Sequence, residues 1–306
     1  MGLRRVLVAI CFLVLAPAVS VAVEPDWSHV ERKLNKAGFP SSFVQSLKGV
    51  YEPRDFKSVV ELNTLLFLRT KNDHDGQANP DSASQVRAFM DQHRSALNEA
   101  QSKHGVSASV IASLLYIESR YGQNPGRYHV PSIYAHLLQS DREDVIQHLS
   151  AGGASRFTQA KIGKKELSKI RERAKKKSKW ALDEMRAIEK MYNRNASLAL
   201  NLRGSFAGAF GMPQFIPSSY NKWAKAADGT SSPDLLRPDD AIHSVAYYLR
   251  RNGWQSNKNK SRIKALMHYN NSRDYADAIL KLADQTDGRS VASEASVPPK
   301  RPKTRR

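Results

Sequence analysis

The chain has a single cysteine, Cys11, in 306 residues. That excludes a disulfide-stapled scaffold and a zinc site built on thiolates. Acid is scarce: 29 Asp and Glu stand against 48 Lys and Arg, a formal net charge of +19. A chain so charged is drawn to polyanions. No internal repeat is visible, which excludes a solenoid or propeller. No long period-2 alternation occurs, which argues against a strand-rich fold. Past residues 6–18 no apolar run nears the roughly 20 residues that a spanning helix needs, so a polytopic membrane protein is excluded. The nine histidines show no His-x-x-x-His pair or comparable metal spacing. The residues therefore suggest no metal and no cofactor.

What is present is an ordinary globular composition, 41% hydrophobic and 25% charged. About 300 residues suffice to bury a sizeable core. Arg4 and Arg5, the apolar run over residues 6–18, and small Ser20 and Ala22 form the pattern of a secretory signal peptide cut after Ala22. An uncleaved anchor is the other reading of that run. Residues 1–22 are thus expected to be removed on export, leaving no membrane span. From Arg289 the chain carries Ser, Pro and basic residues without an apolar period, so residues 289–306 read as a disordered basic tail.

Between these ends the spacing predicts helices. Trp27, Val30 and Leu34 share one face, and residues 43–50 form a second helix after Pro40. Residues 72–84 read as a loop and residues 84–103 as one helix ended by Gly105. Pro238-Asp239-Asp240 opens a helix with Ile242, Val245, Ala246 and Leu249 inward, stopped by Gly253. Ser272 caps a last helix with Ala276, Ile279, Leu280 and Ala283 inward. Residues 161–179 hold ten Lys and Arg against Glu166 and Glu172. They are either a solvated helical face or a patch for polyanions.

One carboxylate lies on the wrong face of its helix. Ser107 is a plausible N-cap and Gly122 a plausible stop, and between them Val110, Ile111, Leu114 and Leu115 form the inward stripe. The next member of that stripe, by the i+7, i+4 and i+3 rules alike, is Glu118. Burial disfavours a charged carboxylate and raises its pKa. A carboxyl still protonated near neutral pH can act as a general acid. A Glu paired with Arg120 or Arg127 is the structural alternative.

A second segment, Gly204-Ser205-Phe206-Ala207-Gly208-Ala209-Phe210-Gly211-Met212-Pro213-Gln214-Phe215, alternates small residues with aromatics. No Gly-Lys-Ser/Thr follows, so it is not a phosphate loop. No strand precedes it, so it is not a dinucleotide fingerprint. It either lets backbone approach a flat polar ligand such as a sugar or forms a tight interhelical turn. A third segment, Tyr269-Asn270-Asn271-Ser272, reads by itself as a turn into a helix cap.

In this order and spacing the three segments resemble the lytic murein transglycosylase B family. The likeness runs over Gly105-Val106 through Glu118-Ser119-Arg120-Tyr121-Gly122, residues 204–220, residues 240–254 and Tyr269-Asn270-Asn271-Ser272 with Tyr275-Ala276, and more loosely over residues 39–68 and 86–100. The resemblance implies a mainly α, lysozyme-like helical catalytic domain with additional N-terminal helices, occupying residues 23–288. It implies an exported enzyme of the periplasm or cell envelope that cleaves peptidoglycan glycan strands, with formation of a 1,6-anhydromuramoyl product. Glu118 matches the family's catalytic acid. Ser205, Gln214, Tyr248, Tyr269, Asn270 and Tyr275 match residues that line the cleft, contact sugar or orient the Glu.

Two stretches depart from the family pattern. Where relatives can carry a calcium loop, residues 226–237 lack the alternating carboxylates, and Arg237 stands where an acidic ligand belongs. No metal is expected there. The basic stretch at about residues 151–179 looks like an insertion. A muramidase using water, a catalytically dead glycan-binding scaffold and a basic polyanion-binding protein are the competing functions. No nucleic-acid partner is expected, and the oligomeric state is open.

Overall fold

The computed structural model describes residues 23–69, 78–160 and 162–288. The expected signal peptide and basic tail lie outside these residues. Fourteen α-helices dominate the described chain: α1 Trp27–Lys36, α2 Ser41–Gly49, α3 Phe56–Leu65, α4 Pro80–Gln92, α5 Arg94–His104, α6 Ala108–Ser119, α7 Val130–Leu137, α8 Glu143–His148, α9 Lys164–Tyr192, α10 Ala196–Leu200, α11 Pro217–Trp223, α12 Pro238–Arg251, α13 Asn259–Tyr269 and α14 Arg273–Thr286. A π-helical turn, Leu149–Gly153, follows α8. The strands are two short ones, β1 Tyr128–His129 and β2 Arg203–Gly204, paired antiparallel.

Helix α6 is the centre of the molecule. It packs against α4, α5, α12 and α14. The stripe Val110, Ile111, Leu114 and Leu115 is buried, and so are Ala112, Ser113 and Tyr116 on the other faces. A helix enclosed on all sides has no solvated face. Truncating Leu114 or Leu115 to Ala therefore costs about 2–5 kcal/mol. The inward stripes foreseen for α12 and α14 are also buried. The Ser272 hydroxyl accepts the Tyr275 N–H, capping α14.

Four local details differ from the sequence expectation, two through tertiary packing and two through local capping. The single helix expected over residues 84–103 is two, broken at His93. Its halves serve different partners: α4 packs on α6 and α14, whereas α5 packs chiefly on α12. The first half also begins earlier, at Pro80, because the Asn79 side chain accepts the Ser82 N–H. Ser107 occupies the N-cap of α6 without a side-chain cap bond; Gln101 Oε1 accepts the Ala108 N–H instead. Helix α6 stops before Gly122. Arg120 and Tyr121 already adopt left-handed backbone, φ 49° and 59°. The Tyr121 ring is stacked flat on Phe89, 3.8 Å between centroids, and that packing holds the turn.

The basic stretch is built into one long helix. The 29 residues of α9 run about 44 Å. Its C-terminal half joins the main core through Ala181, Met185, Ile188 and Met191. Its N-terminal half presents Ile170 and Ala174 to a second apolar cluster with Phe56, Val60, Leu65, Val145, Ile146 and Leu149. The cations of residues 164–179 occupy the remaining faces.

Candidate active site

Glu118 sits one residue from the end of α6, where the apolar stripe reaches a cavity of about 280 Å³. Asn79, Ser82, Tyr116, Arg120 and Asn124 also line that cavity. Its size lies just below the roughly 300–1,000 Å³ of small-ligand pockets. Burial pushes the Glu118 pKa up to about 7, opposed by a hydrogen bond from the Tyr275 hydroxyl to Oε1. Neither Arg120 nor Arg127 neutralises it. Arg120 lies over Tyr116, 5.7 Å from the ring centroid, and Arg127 over Tyr128 at 5.2 Å. With no cation among the described residues opposing it, desolvation keeps the carboxyl largely protonated up to about pH 7.

The glycine-rich segment folds back on itself beside the end of α6. Phe210 is bridged to Gly204 and to Phe215, making a small hairpin. Ser119 Oγ donates to Met212 O at 2.7 Å and accepts the Gly122 N–H at 2.9 Å, tying the helix end to the hairpin. Gln214 stands at φ 50°, an uncommon conformation for a non-glycine residue. Its side-chain amide donates to Gly211 O at 2.9 Å and Pro125 O at 3.2 Å, which holds it there.

Of the residues matched to the family's cleft, Tyr275 alone hydrogen-bonds Glu118. Tyr269 is close enough for the Glu118 charge to raise its pKa, after burial, and its hydroxyl donates to Pro213 O. Tyr248 packs edge-on to Tyr269 at 4.7 Å and donates to His268 O at 2.8 Å. Phe215 lies 5.7 Å from Tyr248 and 5.8 Å from Tyr269. Together these rings form an aromatic block between the hairpin and α12–α13. Ser205 is held within its own turn, its Oγ accepting the Ala209 N–H at 3.3 Å. Asn270 is exposed at the C-cap of α13. Neither Ser205 nor Asn270 hydrogen-bonds Glu118.

Sequence reasoning missed Ser119, Asn79, Ser82 and Asn124. No periodicity points to them; Ser119 becomes important only through the carbonyl that the hairpin brings to it. A larger apolar hollow, about 390 Å³, lies against Phe210, Gly211, Leu198, Leu202 and Leu235. Its lining lacks Glu118, so the acid chemistry belongs to the smaller cavity. Residues 226–237 are tied by protein groups: the Asp240 carboxylate accepts the Ala227 and Asp234 N–H groups at 2.9 and 2.8 Å, and Arg237 lies 3.6 Å from Asp228. Among the described residues no three His, Cys, Asp or Glu side chains converge on a point that could hold a metal.

A family model described as the transglycosylase SLT domain matches residues 22–264. The membrane-bound lytic murein transglycosylase B of Escherichia coli (strain K12) is 29% identical over 175 residues, 57% of this chain and 39% of that protein. The match thus spans well under half of that relative's length. In structure the chain is similar to the E. coli lytic transglycosylase SLT35 in complex with bulgecin A, at 20% identity over 87% of this chain and 94% of that chain, TM-score 0.63. It is similar to SltB3 from Pseudomonas aeruginosa in complex with NAG-anhNAM-pentapeptide, at 20% identity over 86% of this chain and 78% of that chain, TM-score 0.62. The structural likeness carries the fold, and the family model, covering most of the chain, carries the kinship: this protein belongs to the SLT-domain family of lytic murein transglycosylases.

Proposed function

We propose that this protein is an exported peptidoglycan lytic transglycosylase of the cell envelope, with Glu118 acting as acid and then as base. The observation that carries this reading is the setting of Glu118. It is a lone carboxylate at a helix end, protonated to about pH 7, held by a tyrosine hydroxyl and open to a polar cavity. A two-carboxylate glycosidase places its second acid about 5–9.5 Å from the first. Among the described residues, no other carboxylate lines the Glu118 cavity. The kinship with a murein transglycosylase, and the muropeptide held by SltB3, favour the same substrate class.

Neutral Glu118 gives its proton to the glycosidic oxygen as the bond between N-acetylmuramic acid C1 and N-acetylglucosamine O4 breaks. The substrate's N-acetyl oxygen stabilises the charge at C1. Ionised Glu118, accepting the Tyr275 hydroxyl bond, then takes the proton from the muramoyl 6-hydroxyl as O6 closes on C1. Glu118 ends protonated as it began, its first proton now on the N-acetylglucosamine 4-hydroxyl and its new one from the muramoyl 6-hydroxyl, and no water is consumed. The aromatic walls made by Tyr248, Tyr269 and Tyr275 keep the site dry, so that proton transfer goes to substrate. Ser205, Gln214 and Asn270 line the cleft farther from Glu118 and hold acetamido and hydroxyl groups. Residues 1–22 direct export and residues 23–288 form the catalytic domain. Among the described residues no helix is long and apolar enough to cross a membrane.

Mass spectrometry of digested sacculi tests this reading. The expected sugar products are anhydro species, lighter by one water than hydrolysis products, and Glu118→Gln lowers their rate of release by about 10²–10⁴-fold. Water-bearing products would make the protein a muramidase. Wild-type rates from Glu118→Gln would remove Glu118 from the chemistry.

A further inference from the structure

The proposed reaction leaves the cations of α9 without a task. Lys165, Lys169, Arg173 and Lys177 recur every four residues and so stand on one face of the helix. Like charges at that spacing repel one another. Among the described residues none of the four is ion-paired, because the neighbouring carboxylates are held elsewhere. Glu166 accepts the Gly163 N–H at 3.2 Å, Glu172 pairs with Lys176 at 2.6 Å and Glu143 with Arg171 at 2.6 Å. Glu61 on α3 is held by His148 at 2.8 Å and Arg156 at 2.6 Å.

Aromatic rings and neutral oxygens support three of the four cations instead, and Lys165 is exposed at the start of the helix. Lys169 Nζ and the Arg173 guanidinium lie 5.8 and 4.9 Å from the Phe67 ring centroid, and Lys177 Nζ lies 4.2 Å from that of Trp180. Arg173 Nε donates to Thr64 O at 2.9 Å, and Lys177 Nζ to Asn63 Oδ1 at 3.5 Å. Burial, and then the nearby Arg173 charge, push the Lys177 pKa down to about 8. An anion is the missing component.

The ladder ends at the glycine-rich hairpin. Asn63 Nδ2 donates to Phe206 O at 2.8 Å. Trp180 packs edge-on to Tyr134 at 5.4 Å, and the Tyr134 hydroxyl donates to Gly208 O at 3.2 Å. Four cations about 6 Å apart along the helix suit a series of weak anions on one polymer better than a single tightly coordinated one.

We propose that the Lys165–Lys169–Arg173–Lys177 face of α9 is a docking track for the carboxylate-bearing peptide stems of the wall polymer. It leads the glycan strand toward the hairpin. The inference rests on the reading of the protein as a peptidoglycan enzyme, and it is tested by binding, so that it stands or falls apart from the assignment of Glu118.

Full-length protein carrying Glu118→Gln is co-sedimented with intact sacculi and with sacculi stripped of stems by an amidase, across a salt series. Added to that background, Lys165→Gln/Lys169→Gln and Arg173→Gln/Lys177→Gln are each expected to weaken binding to intact sacculi roughly tenfold and to flatten its salt dependence. The preference for intact over stripped wall should vanish with it. The first pair is exposed and carries the test if the second pair impairs folding. Unchanged binding to intact sacculi by both variants would overturn the proposal. So would a parent protein that binds stripped and intact sacculi equally, or one that prefers single-stranded homopolymer DNA through these residues.

Discussion

The Tyr275 hydroxyl, on the first turn of α14, donates to Glu118 Oε1 on the last turn of α6, across 157 residues of chain. The two groups meet because α14 packs along α6, and Tyr275 is itself almost wholly buried. The bond favours the carboxylate that exists midway through the proposed reaction, whereas burial favours the neutral acid that begins it. Burial is the stronger of the two.

Tyr275→Phe keeps the packed ring and removes that donor. Cleavage of sacculi should slow about tenfold, the worth of a hydrogen bond to a charged group. Without the bond the Glu118 pKa rises further, so the alkaline limb of the pH–rate profile should move to higher pH. A slowed enzyme with an unmoved limb would mean that the hydroxyl does not act through Glu118.

Glu118→Gln should reveal the cost of the carboxylate to the fold. Its pKa is about 7 folded, against an ordinary value of 4.5. The folded chain binds the proton more tightly. The resulting stability is complete below about pH 4.5 and is lost as pH rises through 7. Gln does not titrate, so the variant should gain on the wild type by on the order of 2–3 kcal/mol between pH 5 and pH 8. Denaturant titrations at both pH values measure this, and a pH-independent difference would place the carboxyl in water.

Two glycines separate backbone strain from crowding. Gly208 and Gly229 share left-handed backbone, φ 78° and 76°. A Cβ at Gly208 would lie 2.5 Å from the Tyr134 ring and hydroxyl, whereas one at Gly229 meets nothing within 4 Å. Gly229→Ala should cost about 1–2 kcal/mol, from the left-handed backbone alone. Gly208→Ala adds overpacking of about 1–3 kcal/mol, and should also depress cleavage by shifting the hairpin. Thermal melts and sacculus assays on the pair test this.

Glu184 on α9 anchors the segment that follows the hairpin, its carboxylate accepting the Ser218 N–H at 2.9 Å and the Ser218 hydroxyl at 2.7 Å. Glu184→Ala orphans both donors and should cost about 1–3 kcal/mol. Cleavage should fall while the alkaline limb set by Glu118 stays in place. A shifted limb would mean direct contact with the reacting carboxyl.

Much of this was legible from apolar spacing. The stripes of α6, α12 and α14 follow from which residues must avoid water, and they place Glu118 on the buried face. What spacing does not carry is the choice between partners. The break at His93 arises because α4 and α5 serve different neighbours. The left-handed turn at Arg120 and Tyr121 arises because Phe89, from another helix, stacks on Tyr121. The four cations of α9 share a face by their spacing; only the tertiary structure sets three of them against Phe67 and Trp180 and leaves all four without a carboxylate partner among the described residues.

The amino-acid order alone therefore determined that the chain is helical, which faces turn inward, and that one acid is spent on an apolar stripe, since a 3.6-residue period and the cost of wetting hydrocarbon act within each helix. The tertiary structure decided that this acid meets a tyrosine rather than an arginine, and so retains its proton to about pH 7. Desolvation and hydrogen bonding depend on groups far apart in the chain, and no local pattern encodes which of them will be brought together.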